Sequence, residues 1–499
     1  MTTIGDQVGT IRGARVAGAG REMLPHDGLF DIFITGGRIT DIAPTAALKP
    51  VGPVLDADGT WLVPGLWDHH VHTVQWALVA QRTDLGGARS AAEAASIMAT
   101  APLLADGRRI GTGFRDAFWP DAPSLDLLDG ATGEVPTYLI NADVHSVWLN
   151  SAALRREGHP AVGDGMLREA PAFEISRRLN EVEPAVGDRL VAEMAQDAAA
   201  RGIVGLVDLD MAWNASAWRR RLDGGFDTLR AEFGIYPDLL DRAIAEGLRS
   251  GDAVATASDL VRVGSLKVIT DGSLGTRTAA CSHPYPGDPH NHGMLTVPPA
   301  ELLELMTRAT ANGLSCAIHA IGDVANSHAL DAFGVTGATG TIEHAQLVAH
   351  ADIPRFARLG VGASVQPEHA VDDRDLTDTI WAEQTAVPYP LRMLADAGAN
   401  LLFGSDAPVS PLDPWAAMAA AVFRTRDGRP AWHPEQGLSI DTALAASTRG
   451  GSRSGARIEP GAIADLALCA ADPLTADEIS LRGMEVTATL LGGRVTHAA

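Results

Sequence analysis

A repeated alternation of short apolar runs with amphipathic segments constrains the fold of this chain more than any other feature. Seven runs between residues 202 and 406 each end in polar residues: GIVGLVDLD, LRAEFGIYP, SLKVITDG, LSCAIHA, GTIEHAQ, VGASVQP and NLLFGSD. Helical patterns such as PPAELLELMTRATANG and WAAMAAAVFRTR accompany them. Strands separated by helices predict βαβ units and a parallel sheet.

An eighth apolar run, GLWDHHVH, precedes the other seven at residues 65–72. Eight strands that alternate with helices are the number that a (β/α)8 barrel requires. We therefore predict an α/β fold whose main domain is a TIM-like (β/α)8 barrel over residues 63–449.

Strand-like runs with turn signals at both ends of the chain predict a second, smaller domain. DIFITGGRITDIAP and VTATLLGGRVTH each hold a Gly-Gly hairpin signal. We expect residues 1–62 and 450–499 to form one β-sandwich.

More chain follows His72 than one helix needs, so we also predict an insertion at about residues 82–190, after the first barrel strand. On the active-site face of the barrel, this insertion would cover the site.

The charge and cysteine content of the chain bear on its partners and its compartment. The formal net charge is −23, which disfavours nucleic acid and anionic membrane surfaces as partners. The three cysteines have no paired spacing, and MTTIGDQVGT lacks the basic and apolar regions of a signal peptide. We expect a cytoplasmic protein that acts on a small molecule and does not enter a membrane, and the sequence leaves homo-oligomer formation open.

The first barrel strand ends in a dense group of histidines. His70 and His72 are two positions apart, so both side chains point to the same face of a strand, whereas His69 points to the other. At the rim of a barrel such a pair can place two ring nitrogens on one cation at about 2.0–2.1 Å. Ordinary strand-end histidines are the alternative, and partners further along the chain favour the metal site.

Four later strand ends each carry one titratable residue, namely Lys267, His319, His344 and Asp406. Because the carboxyl ends of barrel strands meet at one face, we expect these side chains to converge on the histidine pair. Each also has a simpler interpretation. The two histidines could be core residues, Asp406 could cap a helix, and Lys267 could pair with Asp271 or another nearby carboxylate.

These segments together resemble the amidohydrolase superfamily, whose members are metal-dependent hydrolases with a (β/α)8 barrel beside a small β-sandwich. PGLWDHHVH resembles the first-strand motif of that superfamily. Other segments are similar, in order, to the branch that includes N-substituted formamide deformylases: DVHSVWLNSAAL, LKVITDGSLGTRTA, HAIGD, IEHAQ, SVQPEH, FGSDAPV and PGAIADLAL. The resemblance covers nearly the whole chain.

The resemblance implies a centre that holds one or two divalent ions per chain, with Zn²⁺ as the expected metal. The ligand positions that it carries over are His70, His72, Lys267, His319, His344 and Asp406. The first two would bind the more buried ion, and His319 and His344 would bind the second. Lys267 falls where binuclear members carry a carbamylated lysine that bridges both ions. An unmodified lysine ammonium would favour a single ion.

We expect this centre to hydrolyse an amide-type C–N bond, in a formamide or an N-acyl amine. A divalent ion lowers the pKa of bound water toward about 7. Asp406 would take the proton from that water and pass it to the leaving nitrogen. His145 could donate a hydrogen bond to the substrate carbonyl, although a structural histidine in a loop is an equal alternative.

Four polar residues next to the strand ends are weaker candidates for contact with substrate: Asp271, Arg277, Gln366 and His369. Polar residues in loops are usually only solvated, and Asp271 and Arg277 could simply contact each other.

Two other functions compete with amide hydrolysis. The same metal core in the superfamily supports deamination and the hydrolysis of cyclic amides or esters, so the barrel alone does not choose the reaction. A non-catalytic scaffold is the alternative of another class. It would be free to lose ligands, whereas all six positions hold competent side chains.

Overall fold

The computed structural model describes residues 3–24, 28–116, 119–142, 146–168, 170–255 and 258–499. The chain divides into two compact units. The first consists of Met1–Thr73 and Ala192–Ala499, and the second of Val74–Val191.

Eight parallel strands form the barrel sheet of the first unit. In chain order they are β1 (Leu66–Val71), β2 (Ile203–Asp208), β3 (Arg230–Ile235), β4 (Ser258–Ile269), β5 (Cys316–Ala320), β6 (Gly340–His344), β7 (Gly362–Val365) and β8 (Asn400–Phe403). Each strand pairs with the next one along the chain. The strands are apolar and largely buried, as parallel strands covered on both faces should be. The predicted (β/α)8 barrel is confirmed.

The barrel is joined between its first and last strands by hydrogen bonds just beyond β8. The backbone N–H of Asp406 donates to the carbonyl oxygen of His70 at 2.7 Å, and the N–H of His72 donates to that of Ala407 at 2.9 Å. Val71 and Ala407 form a parallel bridge at the same place. This junction brings Asp406 next to the histidine pair of β1.

Helices connect the barrel strands. Those of the first unit are Asn214–Asp223, Leu240–Ala245, Pro299–Ala311, Asp323–Thr336, Ile353–Leu359, Pro367–Asp372, Arg374–Ile380, Leu391–Asp396, Pro414–Phe423, Ile440–Ala446, Gly451–Ser454 and Glu478–Arg482. Short 3-10 helices span Arg21–Met23, Pro237–Leu239 and Pro434–Gln436, and two-residue strands Leu347–Val348 and Val387–Pro388 pair with each other. Local sequence sets the helix starts. For example, the Asp413 carboxylate accepts from the N–H of Trp415 at 3.0 Å, and Pro414 occupies the first turn.

Both ends of the chain build one eight-stranded sheet, as predicted. In sheet order its strands are Arg494–Ala498, Val486–Leu491, Leu466–Cys469, Trp61–Pro64, Thr10–Val16, Phe30–Thr35 and Arg38–Pro44, with Val54–Asp56 also paired to Thr10–Val16. The antiparallel pairing of Trp61–Pro64 with Leu466–Cys469 joins the two ends. A shared apolar core that includes Ile32 and Leu490 lies beneath them.

A largely buried ion pair ties the barrel to this terminal sheet. Arg230 of β3 donates from Nε to Asp465 Oδ2 at 2.6 Å and from a terminal nitrogen to Oδ1 at 3.2 Å. The backbone N–H of Gly492 also donates to Asp465 Oδ1 at 2.7 Å. Asp465 directly precedes the first C-terminal strand, so the pair fixes where that strand begins.

The second unit confirms the predicted insertion after the first barrel strand. Its sheet has the order Met166–Arg168, Ser146–Leu149, Thr137–Asn141, Arg109–Phe114 and Thr83–Asp84. Its helices are Ala91–Thr100, Leu125–Thr132, Ser151–Glu157 and Ala170–Asn180, while Thr73–Val79 and Pro184–Ala200 run across its boundaries. Trp148 and Phe114 are buried in its core. Its proposed function as a cover of the active site stays a prediction.

Within the described ranges, no helix combines the length and the apolar character needed to cross a bilayer.

Candidate active site

The carboxyl ends of the barrel strands bring the imidazoles of β1, β5 and β6 together. The ring centroids of His70 and His72 lie 5.6 Å apart, and those of His70 and His344 lie 5.0 Å apart. His319 adds a further ring, 4.5 Å from that of His344. Lys267 of β4 is also buried here and interacts electrostatically with His70. The order of titratable strand ends in the sequence therefore corresponds to a cluster in space.

His70, His72 and Asp406 form the tightest group. Nε2 of each histidine lies 3.3 Å from Oδ1 of Asp406, and one ligand atom from each residue lies within 4.8 Å of the others. This spacing is longer than the usual N–H···O hydrogen bond. It equals the edge of a tetrahedron whose corners lie about 2.0–2.1 Å from a central ion. The three side chains thus have the spacing of metal ligands.

Glu343 orients the imidazole of His70. Burial raises the pKa of Glu343, but the hydrogen bond from His70 and the charge of Lys267 bring it down to about 2. An ionised carboxylate only accepts hydrogen bonds, so His70 donates from Nδ1 to Glu343 Oε2 at 2.8 Å. Nε2 of His70 is then the unprotonated nitrogen and faces Asp406. Burial, and next the charge of Lys267, lower the pKa of His70 to about 4, which keeps the ring neutral.

Gln366 orients His344 in the same way. The amide oxygen of Gln366 lies 2.9 Å from Nδ1 of His344 and accepts a hydrogen bond from its N–H, which leaves Nε2 without a hydrogen. Burial, followed by the charge of His319, holds the pKa of His344 well below its ordinary value. The sequence predicts contact with substrate for Gln366. In the structure its amide oxygen serves His344, and the contact with substrate stays a prediction.

His369 lies on the short helix Pro367–Asp372 and belongs to a second group of possible ligands. One ligand atom from each of His344, His369 and Asp406 lies within 4.8 Å of the others. His369 is 8% exposed, and its Nε2 is buried without a hydrogen-bond partner among the described residues. Its predicted contact with substrate is untested, and its position is next to the predicted ligands.

His319 points one nitrogen toward the loop that follows β4. Its Nε2 lies 3.4 Å from both the carbonyl oxygen of Gly272 and Oδ1 of Asp271. Neither three-residue group found among the described residues includes His319. Its predicted bond to a second ion therefore stays a prediction.

Asp271 and Arg277 occupy different surroundings in that loop. Asp271 is buried and accepts backbone N–H groups from Ala280, Ile321 and Gly322 at 2.9, 3.0 and 2.8 Å. It thereby fastens the loop after β4 to the end of β5. Arg277 is exposed and adopts a left-handed backbone conformation with φ 56°. Their predicted contacts with substrate stay predictions.

Lys267 is almost completely buried, and its Nζ has no hydrogen-bond partner within the described part of the chain. Burial lowers its pKa, while the charges of Glu343 and Asp406 act in the opposite direction. The alternative pairing of Lys267 with Asp271 is not among the ion pairs of the described residues. A buried amine without a partner is uncommon in native proteins, and it indicates that a further group belongs beside it.

Asp406 is ionised at neutral pH and sits on an unusual backbone. Burial raises its pKa, but the charge of His70 and the proximity of His72 hold it well below its ordinary value. Its φ is 56°, a left-handed value that aspartate tolerates better than most residues. The neighbouring junction is held by Asp68, whose Oδ1 accepts the N–H of Ser405 at 2.9 Å and that of His70 at 3.1 Å.

Sequence reasoning did not assign a role to Asp68, Glu343, Asp210 or Tyr236. Tyr236, just after β3, donates its hydroxyl to the carbonyl oxygen of Leu209 at 2.7 Å. Burial and the charge of Asp210 raise its pKa. In the sequence, these four residues could have been noticed only as charged or phenolic side chains at the ends of apolar strands. His145, the predicted donor to substrate, lies outside the described residues.

The side chains present fit a divalent cation. Nε2 of two imidazoles lies 3.3 Å from the same oxygen of Asp406, and hydrogen bonds from Nδ1 fix the tautomers of both His70 and His344. His72 Nδ1, His369 Nε2 and Lys267 Nζ are buried without hydrogen-bond partners in the described structure. Imidazole and carboxylate donors suit zinc and similar divalent metals.

The chain is similar to known proteins along most of its length. The Arabidopsis thaliana protein LONG AFTER FAR-RED 3 is 29% identical over 518 residues, which cover 92% of this chain and 87% of that protein. The N-substituted formamide deformylase of Arthrobacter pascens is 25% identical over 525 residues, with 93% and 94% covered. An uncharacterized metal-dependent hydrolase from Pyrococcus horikoshii OT3 superposes with a TM-score of 0.80 at 25% identity, covering 94% of this chain and 98% of its own.

The sequence profile of the amidohydrolase family matches residues 53–497, almost the full length of the chain. This match confirms the resemblance that the strand-end motifs indicated. The chain belongs to the amidohydrolase family.

Proposed function

We propose that this protein is a metal-dependent hydrolase that cleaves an amide-type C–N bond, in a formamide or an N-acyl amine. One observation carries the proposal: Nε2 of His70 and Nε2 of His72 each lie 3.3 Å from the same oxygen of Asp406. Two imidazoles and an ionised carboxylate at this spacing match the ligand set of a hydrolytic metal centre that keeps one position open.

His70, His72 and Asp406 would hold the ion, which we expect to be zinc. When bound, a divalent ion supplies polarisation of a substrate carbonyl and a lowered pKa for water. Lys267 remains the candidate for a carbamylated bridge, because its buried amine lacks a partner in the described structure. The predicted pair His319 and His344 would serve a second ion.

Asp406 would carry the proton. Its carboxylate is ionised, so it can accept a proton from the attacking water. The same group can then donate that proton to the nitrogen that leaves. An amine is a poor leaving group until it is protonated, so this transfer matches a C–N bond better than an ester.

The choice of substrate class is supported by one relative. The Arthrobacter pascens protein, which matches this chain along 93% of its length, is named for the hydrolysis of N-substituted formamides. His145 would add a hydrogen bond to the substrate carbonyl, as predicted from the sequence.

A cytoplasmic location is also part of the proposal. It is supported by the cysteines, because Cys281, Cys316 and Cys469 are all free and buried.

A substrate panel tests the proposal. Purified protein would be assayed with N-substituted formamides, N-acyl amines, cyclic imides, aminopurines and aryl esters, before and after removal of metal by a chelator. We expect the formamides or N-acyl amines to be hydrolysed fastest, with activity lost on chelation and restored by Zn²⁺. Faster turnover of aminopurines or esters, or full activity without metal, would overturn the proposal.

The proton-transfer step has a matched pair of variants. Asp406→Asn should lower kcat by about 10²- to 10⁴-fold, because the amide cannot accept the proton. Asp427→Asn is the control: Asp427 is exposed, and its φ of 59° is close to the 56° of Asp406. Near-normal turnover by Asp406→Asn would exclude Asp406 as the base.

A further inference from the structure

We propose that Tyr389 is a positioning residue of the active site, which holds the imidazole of His344 in place through hydrogen bonds to two segments. One segment is residues 344–346, at the end of β6, and the other is residues 366–373, after β7. Because it takes His344 as part of the active site, this assignment rests on the proposed function.

The hydroxyl of Tyr389 connects the two segments. It donates to Asp373 Oδ2 at 2.9 Å and accepts from the side-chain amide of Gln346. Gln346 lies two residues after His344, and its carbonyl oxygen also accepts from the backbone N–H of Tyr389 at 2.6 Å. Asp373 directly follows the helix Pro367–Asp372. One side chain therefore ties the far end of this helix to the segment that carries His344.

The near end of the same helix contacts His344 directly. Gln366, which precedes the helix, accepts a hydrogen bond from His344 Nδ1 at 2.9 Å. This contact keeps its geometry only while the two segments keep their spacing. The Tyr389 hydroxyl supplies a second connection between the same segments, so neither can shift without breaking a buried hydrogen bond.

The backbone at Tyr389 is strained and closely restrained. Its φ is 46°, a left-handed value that is an outlier for a bulky side chain. Pro388 and Pro390 lie on either side, and a proline restricts the residue before it. Val387–Pro388 also pairs with Leu347–Val348, which fixes the tyrosine beside the segment after β6. Strain of this kind persists where the surrounding structure enforces it, and it is concentrated at functional sites.

The side chain of Tyr389 is enclosed by protein. The residue is 5% exposed and packs with Ala370 of the helix and with Trp432, whose ring centroid lies 5.8 Å away. Burial, and next the charge of Asp373, hold the pKa of the phenol well above its ordinary value, so the hydroxyl keeps the proton that it donates. Tyr389 thus acts on the site through its hydrogen bonds and not through contact with substrate.

The state of the His344 imidazole tests this role without metal or substrate. Metal-free, full-length protein labelled with ¹⁵N-histidine would be studied by NMR, and His344→Asn would identify the signal of the His344 Nδ1–H. A proton held in a protected hydrogen bond exchanges slowly with water, so this signal should be present in the unaltered protein. We expect it to be lost or strongly weakened in Tyr389→Phe and in Gln346→Met, which each remove one hydrogen-bonding group and keep a side chain of similar size.

Tyr138→Phe is the matched control. Tyr138 is also buried, and its hydroxyl donates to the carboxylate of Glu157 at 2.8 Å, but it lies in the second compact unit. The His344 signal should be unchanged in this variant, and thermal melting would verify that each variant is folded. If Tyr389→Phe does not fold, Gln346→Met decides by the same signal. A full His344 signal in the folded test variant, its absence from the unaltered protein, or an equal loss in Tyr138→Phe would overturn the proposal.

Kinetics give a second measurement. With a substrate from the panel above, Tyr389→Phe should lower kcat about 10-fold and leave KM nearly unchanged, because the residue orients His344 and binds no substrate. The double variant with Gln346→Met should lose no more than either single variant, since both break the same connection. A rise in KM without a fall in kcat would contradict the positioning role. If no member of the panel is hydrolysed, the proposed function fails, whereas the NMR comparison still decides the role of Tyr389.

Discussion

His70 donates from Nδ1 to the Glu343 carboxylate across 2.8 Å, and both side chains are buried. The pair determines which imidazole nitrogen faces Asp406. It also places an anion behind the proposed metal site, which would make the imidazole a stronger ligand.

Replacing Glu343 should therefore weaken metal binding. We expect Glu343→Ala to lower affinity for Zn²⁺ by about 10- to 100-fold, and Glu343→Gln to lower it less, because its amide oxygen can still accept the hydrogen bond from His70 Nδ1. Competition with a fluorescent chelator measures the affinity. The control is Glu435→Ala, since Glu435 lies 2.8 Å from His433 Nδ1 on the surface. Equal affinities for Glu343→Ala and the control would contradict the orienting role.

Metal binding should also depend on pH through His72. Burial lowers the pKa of His72, but the neighbouring Asp406 carboxylate more than offsets this and raises the pKa above its ordinary value. Below the raised pKa the ring holds a proton that a cation must displace. Affinity should therefore be highest above that pKa and fall as the pH decreases, with proton release on binding. His70, with its pKa of about 4, should compete only in more acidic solution.

Calorimetric titration of the metal-free protein in buffers of different ionisation enthalpy would measure this proton release. His72→Asn should release fewer protons per ion at neutral pH. An affinity that does not change between about pH 8 and pH 6 would contradict the assignment, because protons and metal must then not compete at His72.

The ion pair between Arg230 and Asp465 should contribute strongly to stability. Asp465→Ala leaves a largely buried guanidinium without its main partner, and we expect a loss of about 3–5 kcal/mol in the free energy of unfolding. Asp259→Ala is the control. Asp259 lies 3.7 Å from Arg230 but is 67% exposed, so its removal should cost about 0–1 kcal/mol. Urea denaturation of both variants measures the difference, and equal effects would contradict the account.

Asp271 offers a test between a structural and a substrate-binding role. Its carboxylate accepts three backbone N–H groups, and Asp271→Asn would leave at least one of them unsatisfied. We expect a loss of about 1–3 kcal/mol in stability. Asp288→Asn, in the same loop but exposed, is the control. A large rise in KM with unchanged stability would instead support the substrate contact predicted from the sequence.

Much of the fold was predictable because its signals are local. The alternation of apolar runs and helical patterns predicts the barrel, and Gly-Gly turns at both ends predict the terminal sheet. The two-residue spacing of His70 and His72 indicates a shared face, and both do lie 3.3 Å from one atom of Asp406. His69, expected on the other face, contacts the carbonyl oxygen of Thr448 at 3.1 Å.

The remaining site residues depend on tertiary structure. Alternation along a strand places Glu343 and His344 on opposite faces, yet both reach the site, because His344 has a φ of 72° that breaks the strand geometry. His369 lies on a helix, and the arginines that anchor this helix come from distant parts of the chain. Such long-range contacts leave no periodic pattern in the sequence.

The most direct test of the central claim is an anomalous difference map, collected at the zinc absorption edge from crystals of the metal-loaded protein. The account predicts a peak about 2.0–2.1 Å from Nε2 of both His70 and His72, and in bonding reach of the Asp406 carboxylate. Metal-loaded crystals without a peak at this point, or with the ion held by other side chains, would contradict it.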